Sequence, residues 1–487
     1  MVEKTKGFYA RDYSLGLGWN NMRYIIEASL LHAELLNRTL VLPSFVYARS
    51  CEWEIKSCAA YATMVNRGDA IGWAEWRELP IEQQMGWRIP MEIMLDIPHL
   101  RKTHSVILVS EYLKLHDLDP EIEWSNGAWN RDRYSEGTPK RTVRVIPNDA
   151  YDPSTILRVD ELKNLPAAGH RDGLVYTTLM NAMGTDQNVL EWEVARALLL
   201  AWDVDTDEKL ESLLNEHGWV VLHTFKGALG MDYLKSVVEP IKQVAPVWRL
   251  RGMKDDFDSV NDDILVLEGE THLNRKPGGL RFTTVEGRDN FAALVLYGLQ
   301  PIEPIRILTA RMAAKMRERV GGRMWLAGHM RRGDFVKVGW AMEGSLQDHF
   351  NRIKSRLAAG RTKLHELIEE ASPQTCDVPR AKPNEDFKGA EPPKPDDPFF
   401  LATDERSEEG IKWMKEQGAV FISDLLTPED RRLVGWPLMI TDVLALVEQD
   451  LMAHGAYFYA HAMSSVAGGA VNMRAALGMD PRSTLID

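Results

Sequence analysis

His329, Arg331, Arg332 and Asp334 are the residues whose types and spacing best suit chemistry, and they follow the apolar run Trp325-Leu326-Ala327-Gly328 almost without a break. A segment able to form a buried strand thus ends in a histidine, two arginines, a glycine and an aspartate. Ligands of open α/β sheets bind at the carboxyl ends of strands, and paired guanidinium forks there suit phosphate oxygens. On these residues alone, a structural salt bridge is an equally good account. Three further clusters occupy comparable positions. Ala402-Thr403-Asp404-Glu405 closes a second apolar run, where Thr403 or Asp404 can also serve as a helix N-cap. Ser464 and Ser465 stand before Gly468-Gly469 and a helical pattern. Hydroxyls and backbone amides gathered at a helix start favour anions, and capping alone also explains them. Gly16-Leu17-Gly18-Trp19-Asn20 precedes another helix, where a Gly-x-Gly also serves as a plain tight turn.

These clusters need elements to position them. Met22, Ile25, Ile26, Leu30, Ala33 and Leu36 form one apolar stripe on a helix. Asn37 can end it, and Thr39-Leu40-Val41-Leu42 reads as a buried strand closed by Pro43. Turn, helix and strand in that order begin an α/β layer. The spans 105–109, 173–177 and 219–223 read as further strands, with helical patterns such as 190–202 between them. The C-terminal third alternates more cleanly. Helices are expected over 305–319, 345–370, 405–417 and 442–452, strands over 324–328, 399–402, 419–422 and 456–459, and a last helix after Gly468-Gly469. Residues 371–398 are proline-rich and polar and read as a flexible loop. Strands alternating with helices imply mostly parallel sheets. The expected fold class is α/β, with two Rossmann-like domains facing a cleft. Residues 1–300, with irregular insertions, form the acceptor side and residues 301–487 the donor side, divided where Pro301 and Pro304 interrupt the pattern.

A chain of 487 residues is long enough for two or three domains. Its net charge of -13 argues against nucleic acid or an anionic membrane as the main partner. Any anion site must then be a local basic pocket. Trp73, Trp76 and Trp87 surround Glu75, Arg77 and Arg88. They can line an acceptor groove, although packing of an irregular loop is the better account. Cys51 and Cys58 are near enough to bridge and equally able to stay free, with Cys376 left over. No apolar run is long enough to cross a bilayer, so no membrane contact is expected. The charged start is not a signal peptide. The chain is therefore read as cytoplasmic, or as the soluble part of a secretory-pathway protein whose targeting segment has been removed. His104, His116, His170, His223 and His272 lack metal-ligand spacing, and the Asp-x-Asp spacings lie in polar stretches, so no metal is expected.

In combination the clusters are more specific. Gly-x-Gly-x-Asn at 16–20, Leu-Asn-Arg-Thr-Leu-Val-Leu-Pro at 36–43, His-x-Arg-Arg-x-Asp-Phe at 329–335, Ala-Thr-Asp-Glu at 402–405 and Ser-Ser before a helix stand in one order. That order resembles the GDP-fucose O-fucosyltransferase superfamily. The resemblance brackets nearly the whole chain, and residues 60–300 contribute little to it. It implies a GT-B-like fold and inverting transfer of fucose from GDP-fucose to a hydroxyl of a protein or glycan acceptor, with no cofactor and no obligatory metal. By the same resemblance, Arg331 holds the β-phosphate of the leaving GDP, where a prealigned guanidinium stabilises the charge built up by C1–O cleavage. His329 and Arg332 contact the nucleotide. Asp442 reads guanine, because a carboxylate can accept from both N1 and N2. Ser464 and Ser465 bind phosphate, and Gly18, Trp19 and Asn20 approach it from the opposite domain.

One position departs from the pattern. Some protein O-fucosyltransferases carry a catalytic glutamate between the two glycines, and here that position is Leu17. Inversion normally needs a base on the acceptor hydroxyl. Related α1,6-fucosyltransferases place a carboxylate shortly after the arginine pair, which makes Glu343 the candidate catalytic base. An exposed acid starting the next helix is an equal account of Glu343, and Asp334 is read as orienting the arginines. A base-free route assisted by phosphate stays open. So do two other functions: transfer from another nucleotide sugar such as UDP-rhamnose, and non-catalytic binding of a nucleotide sugar or glycan.

Overall fold

Strands covered on both faces read as unbroken apolar runs. This chain builds two five-stranded parallel sheets with such runs toward their centres and less buried strands, Val143–Ile146 and Thr484–Ile486, at an edge of each. A computed structural model describes residues 4–11, 13, 18–48, 50–66, 85–123, 131–165, 169–185, 187–269, 276–337, 339–341, 343–370 and 372–487, without the side chains of Met85, Arg131, Asp334 and Lys337. The first sheet contains β1 (Phe8–Arg11), β2 (Thr39–Leu42), β3 (Val106–Leu108), β4 (Val143–Ile146) and β5 (Ile264–Leu267), in the order β3-β2-β1-β5-β4. The second contains β6 (Leu326–Met330), β7 (Phe399–Thr403), β8 (Ala419–Val420), β9 (Tyr457–Ala460) and β10 (Thr484–Ile486), in the order β8-β7-β6-β9-β10. Every pairing in both sheets is parallel. The α/β class with two Rossmann-like sheets is therefore what the chain adopts.

The strand orders locate the useful edges. In the second sheet the chain steps outward from β6 to β7 and β8, then returns past β6 to lay down β9 and β10. That reversal opens a crevice beyond the carboxyl ends of β6 and β9. In the first sheet the reversal falls between β1 and β5. Six helices matter to these edges: α1 (Trp19–Leu35), α2 (Glu303–Arg319), α3 (Leu346–Glu370), α4 (Glu408–Glu416), α5 (Thr441–Ala453) and α6 (Ser465–Ala476). Pro304 lies in the first turn of α2, where its missing N–H costs nothing. Gly418, at φ 96°, supplies the left-handed residue that turns the chain after α4 toward β8.

Several expectations are corrected. The span 173–177 is not a strand but the start of helix Gly173–Met183, in which Val175, Leu179 and Met183 bury one face. That helix belongs to an inserted unit with its own antiparallel strands, Leu190–Glu191, Trp219–Phe225 and Pro240–Pro246. Leu179, Leu210, Leu214 and Trp219 form a separate apolar cluster within it. Helix α6 begins at Ser465, so Gly468 and Gly469 lie inside it rather than before it. Residues 372–398 contain no helix or strand, yet they are fastened rather than free. Tyr297 Oη donates to Pro379 O at 2.9 Å, Met324 N to Glu391 O at 2.8 Å and Asn384 Nδ2 to Leu477 O at 3.0 Å. Cys51 and Cys58 are joined in a disulfide, and Cys376 is a partly buried thiol.

Gly360 of α3 lies directly over Tyr457 of β9, and a Cβ there would enter the tyrosine ring. Overpacking of this kind costs about 1–3 kcal/mol, against about 1 kcal/mol that alanine gains over glycine inside a helix. Gly360→Ala is expected to destabilise, lowering the urea midpoint; a midpoint at or above wild type would contradict the packing.

Candidate functional site

Met330 of β6 pairs in register with Thr403 of β7, so the residues that follow each strand are neighbours. Asp404 uses this proximity to hold both arginines. Its Oδ2 accepts from Arg331 Nη1 at 2.6 Å, and its Oδ1 accepts from the Arg332 backbone N–H at 2.8 Å. A Cβ on Gly333 would collide with that carboxylate, so a glycine is a condition of the clamp. The arginines then divide. Arg332 donates from Nη1 to Ser345 O and from Nη2 to Gly344 O, both at 3.0 Å, and so anchors the turn before α3. Arg331 lies 5.4 Å from the Phe335 ring centroid, and its side chain stays 26% exposed. Asp404 thus has the orienting role expected of Asp334, whose side chain lies outside the described residues. Nor does Asp404 or Thr403 cap α4; Ser407 Oγ does so, accepting from Gly410 N at 3.1 Å.

Three imidazoles stand behind the clamp, on β6 (His329), on α3 (His349) and just after β9 (His461). Burial pushes His329 down to about 3, with the charge of Arg331 adding to the effect. Burial takes His349 down to about 4, aided by Arg352 and Arg332, and lowers His461 likewise. All three are neutral at pH 7, so the positive charge of the crevice belongs to guanidinium groups. His329 is 6% exposed, and among the described residues its Nδ1 and that of His349 are buried without a hydrogen bond. Glu343 is not an exposed acid at a helix start. Its Oε1 lies 2.6 Å from Arg352 Nε, an ion pair without hydrogen-bond alignment. Arg352 Nη1 also donates to Tyr459 Oη at 2.5 Å and Asp487 Oδ1 at 2.9 Å.

The amino ends of α1 and α6 meet at this edge. Gly18 and Ser464 are the N-cap residues, and neither helix has a side-chain cap. Leading amide groups of that kind form an anion site. Tyr24 Oη donates to Ser465 O at 3.3 Å, and a Cβ on Gly468 would lie 2.6 Å from that hydroxyl. Gln449 of α5 donates from Nε2 to Asn20 Oδ1 and to Val466 O, both at 2.8 Å, in space that a Gly469 side chain would need. Asn20 therefore sits at the junction with its amide oxygen engaged, beside buried Trp19. Ser464 is buried and Ser465 half-buried. Asp442 is the second residue of α5, and Thr441 N donates to Ser50 O at 3.0 Å next to it. A helix returning to a parallel sheet starts at the carboxyl edge, so Asp442, Ser464 and Arg331 share one edge.

Other candidates lie elsewhere. Gly16, Leu17, Trp73 and Trp76 fall outside the described residues, while Trp87 is buried in the strand Met85–Pro90 as packing. Two cavities of about 440 and 460 Å³ are remote from the crevice. One is lined by Trp192, Asp207 and Lys242 of the inserted unit, the other by Leu326, Phe399 and Gly418 at the amino edge of the second sheet. Asp404 was legible as part of a strand-end cluster but not as the partner of Arg331. Gln449 and His349 were not evident from sequence, and His461, three residues before Ser464, carried a local signal.

No family model and no curated protein matches the chain. Among solved structures it is similar to POFUT1 in complex with GDP-fucose, with 10% identity and a TM-score of 0.37 over 99% of this chain and 97% of that one. It is also similar to NodZ alpha-1,6-fucosyltransferase soaked with GDP-fucose, with 11% identity and a TM-score of 0.31 over 96% and 92%. The fucosyltransferase NodZ from Bradyrhizobium gives 11% and 0.30 over the same shares. The residues above stand on their own geometry.

An unfolded histidine protonates near pH 6.5, whereas His329 in the fold resists protonation down to about 3. Between those values the unfolded chain binds the extra proton, so stability falls as pH drops through the window. His329→Gln should flatten that fall in urea midpoints taken from about pH 7 to about pH 4; profiles of equal slope would count against a buried neutral His329.

Proposed function

We propose that this protein is a glycosyltransferase that moves fucose from GDP-fucose to a hydroxyl of a protein or glycan acceptor, with inversion at C1. One observation carries the reading: Arg331, fixed by Asp404, stands at the strand-order reversal of one Rossmann-like sheet, on the edge where two helix amino ends meet. Breaking the C1–O bond leaves negative charge on the β-phosphate. A guanidinium already held in place stabilises that charge without reorganising, which is the condition for a large effect on rate. Ser464, Ser465 and the leading amides of α6 supply neutral donors for the remaining phosphate oxygens. Asp442 offers acceptors to guanine N1 and N2. Neutral His329 adds a hydrogen-bonding group and no charge.

Glu343 Oε1 faces Arg352 Nε at 2.6 Å, an ion pair that commits that oxygen to the Arg352 network. It favours the base-free route, in which the bond from C1 to the phosphate oxygen breaks ahead of attack, the acceptor oxygen bonds C1 from the opposite face, and its proton is given up afterwards to the released phosphate. Positioning of the Arg352 network, and so of the turn after β6, is the better role for Glu343.

Two measurements test the reading. Calorimetry should show GDP binding and little or no UDP binding, with Asp442→Ala abolishing the preference; equal affinities in wild type would reject guanine recognition. Arg331→Ala should retain its circular dichroism while losing about 10²–10³ in transfer rate, the usual loss for one preorganised donor. Wild-type transfer in that variant would reject the role of Arg331, and GDP-fucose binding with no sugar release across an acceptor panel would make the protein a binding module.

A further inference from the structure

Lys235 and Lys276 are 9% and 8% exposed, and among the described residues no carboxylate pairs with either. Lys235 Nζ donates to Gly227 O at 2.7 Å, and Lys276 Nζ lies 3.4 Å from the Met231 thioether, a weak acceptor. An ammonium has three donors, so each lysine keeps capacity beyond these contacts. The turns that carry them pack backbone to backbone: a Cβ on Gly278 would lie 2.9 Å from Gly227 Cα and 3.4 Å from Lys235 Cα. Burial pushes Lys235 down to about 7, with the neighbouring Lys276 charge adding to the effect, and burial lowers Lys276 as well. Asp232 acts on Lys235 from a distance without an ion pair, and two like charges desolvated together disfavour folding. A ligand anion reverses that balance.

The location is informative. Lys235 O would be 3.6 Å from a Cβ on Gly468, and Val237 N donates to Asn472 Oδ1 at 3.1 Å. The pair therefore adjoins α6 from the side of the inserted unit. We infer that Lys235 and Lys276 form a binding site for an oxyanion, a phosphate, sulfate or carboxylate group carried by the acceptor. Assigning the anion to the acceptor rests on the transferase reading; the anion site itself does not.

The test uses the full chain with inorganic sulfate, whose charge does not change across the pH range, and with GDP as a separate arm. Sulfate should bind saturably, and its affinity should weaken as pH rises through about 7, where Lys235 loses its proton. Lys235→Met and Lys276→Met should each weaken sulfate binding about tenfold, as expected for a lost charge-assisted hydrogen bond, while GDP affinity changes by less than about twofold. Absence of saturable binding in wild type, sulfate affinity independent of pH, or unchanged affinity in both variants would overturn the site. An equal loss of GDP affinity in both variants would give the anion to the donor's diphosphate and overturn the acceptor assignment. Lys276→Arg, which keeps the charge, should retain sulfate binding and serves if a methionine variant fails to fold. Failure of GDP to bind wild type would sink the transferase reading and leave the sulfate result standing.

Discussion

The amino ends of α1 and α6 come to one edge where side chains of the neighbouring helices pack directly on the α6 backbone, which requires residues without a Cβ there. Gly468 and Gly469 meet this condition inside α6. The first leaves room for the Tyr24 hydroxyl of α1, and the second for the Gln449 carboxamide of α5. Gln449 then links Asn20 of the first half to Val466 of the second through one nitrogen. The glycines lower helix propensity by about 1 kcal/mol each, and tertiary contact outweighs that cost. Without this approach the edge of the first sheet and the edge of the second would still exist, but as separate sites.

Charge is concentrated at that edge in a chain whose net charge is -13. The arrangement separates guanidinium groups that hold structure from the one that is held. Arg332 anchors Gly344 and Ser345, and Arg352 ties Glu343, Tyr459 and Asp487 together. Deeper still, Arg474 donates to Ala453 O, Gly455 O and Ser483 O, which locks the end of α5, the entry to β9 and the approach to β10. Arg331 is positioned by a carboxylate that is itself fixed on a backbone N–H. Neutral imidazoles fill the space behind it, so the field at the crevice comes from a few oriented cations.

Much of the second sheet was legible because parallel strands buried on both faces appear as unbroken apolar runs, as in Phe-Phe-Leu-Ala and Tyr-Phe-Tyr-Ala. The same rule misled at 173–177, where a short apolar run was the first turn of a helix and only the spacing of Val175, Leu179 and Met183 tells the two apart. The order of clusters along the chain indicated which strand ends matter. What it could not convey was partnership across the sheet. Asp404 reaches Arg331 over a separation of 73 residues through the β6–β7 register, whereas Asp334 is nearer in sequence. Arg331 and Arg332 are chemically identical neighbours, and only the path of the following turn makes one of them an anchor. A double glycine before a helix and a double glycine within it look alike until the neighbours that need the space are known.

Leu17 and Glu343 bear on the same question from two sides. A leucine cannot take a proton, and Glu343 Oε1 is committed to an ion pair with Arg352. Under the proposed function, both facts move the demand for catalysis from the attacking group to the leaving group. When bond breaking runs ahead of attack, the acceptor hydroxyl keeps its proton until the departing phosphate is basic enough to receive it. The rate then depends on how well negative charge is stabilised as it appears on that phosphate. A guanidinium fixed by Asp404, on the same edge as uncapped helix amides, acts on that charge from the outset. A site of this kind needs a well-held arginine more than it needs a base.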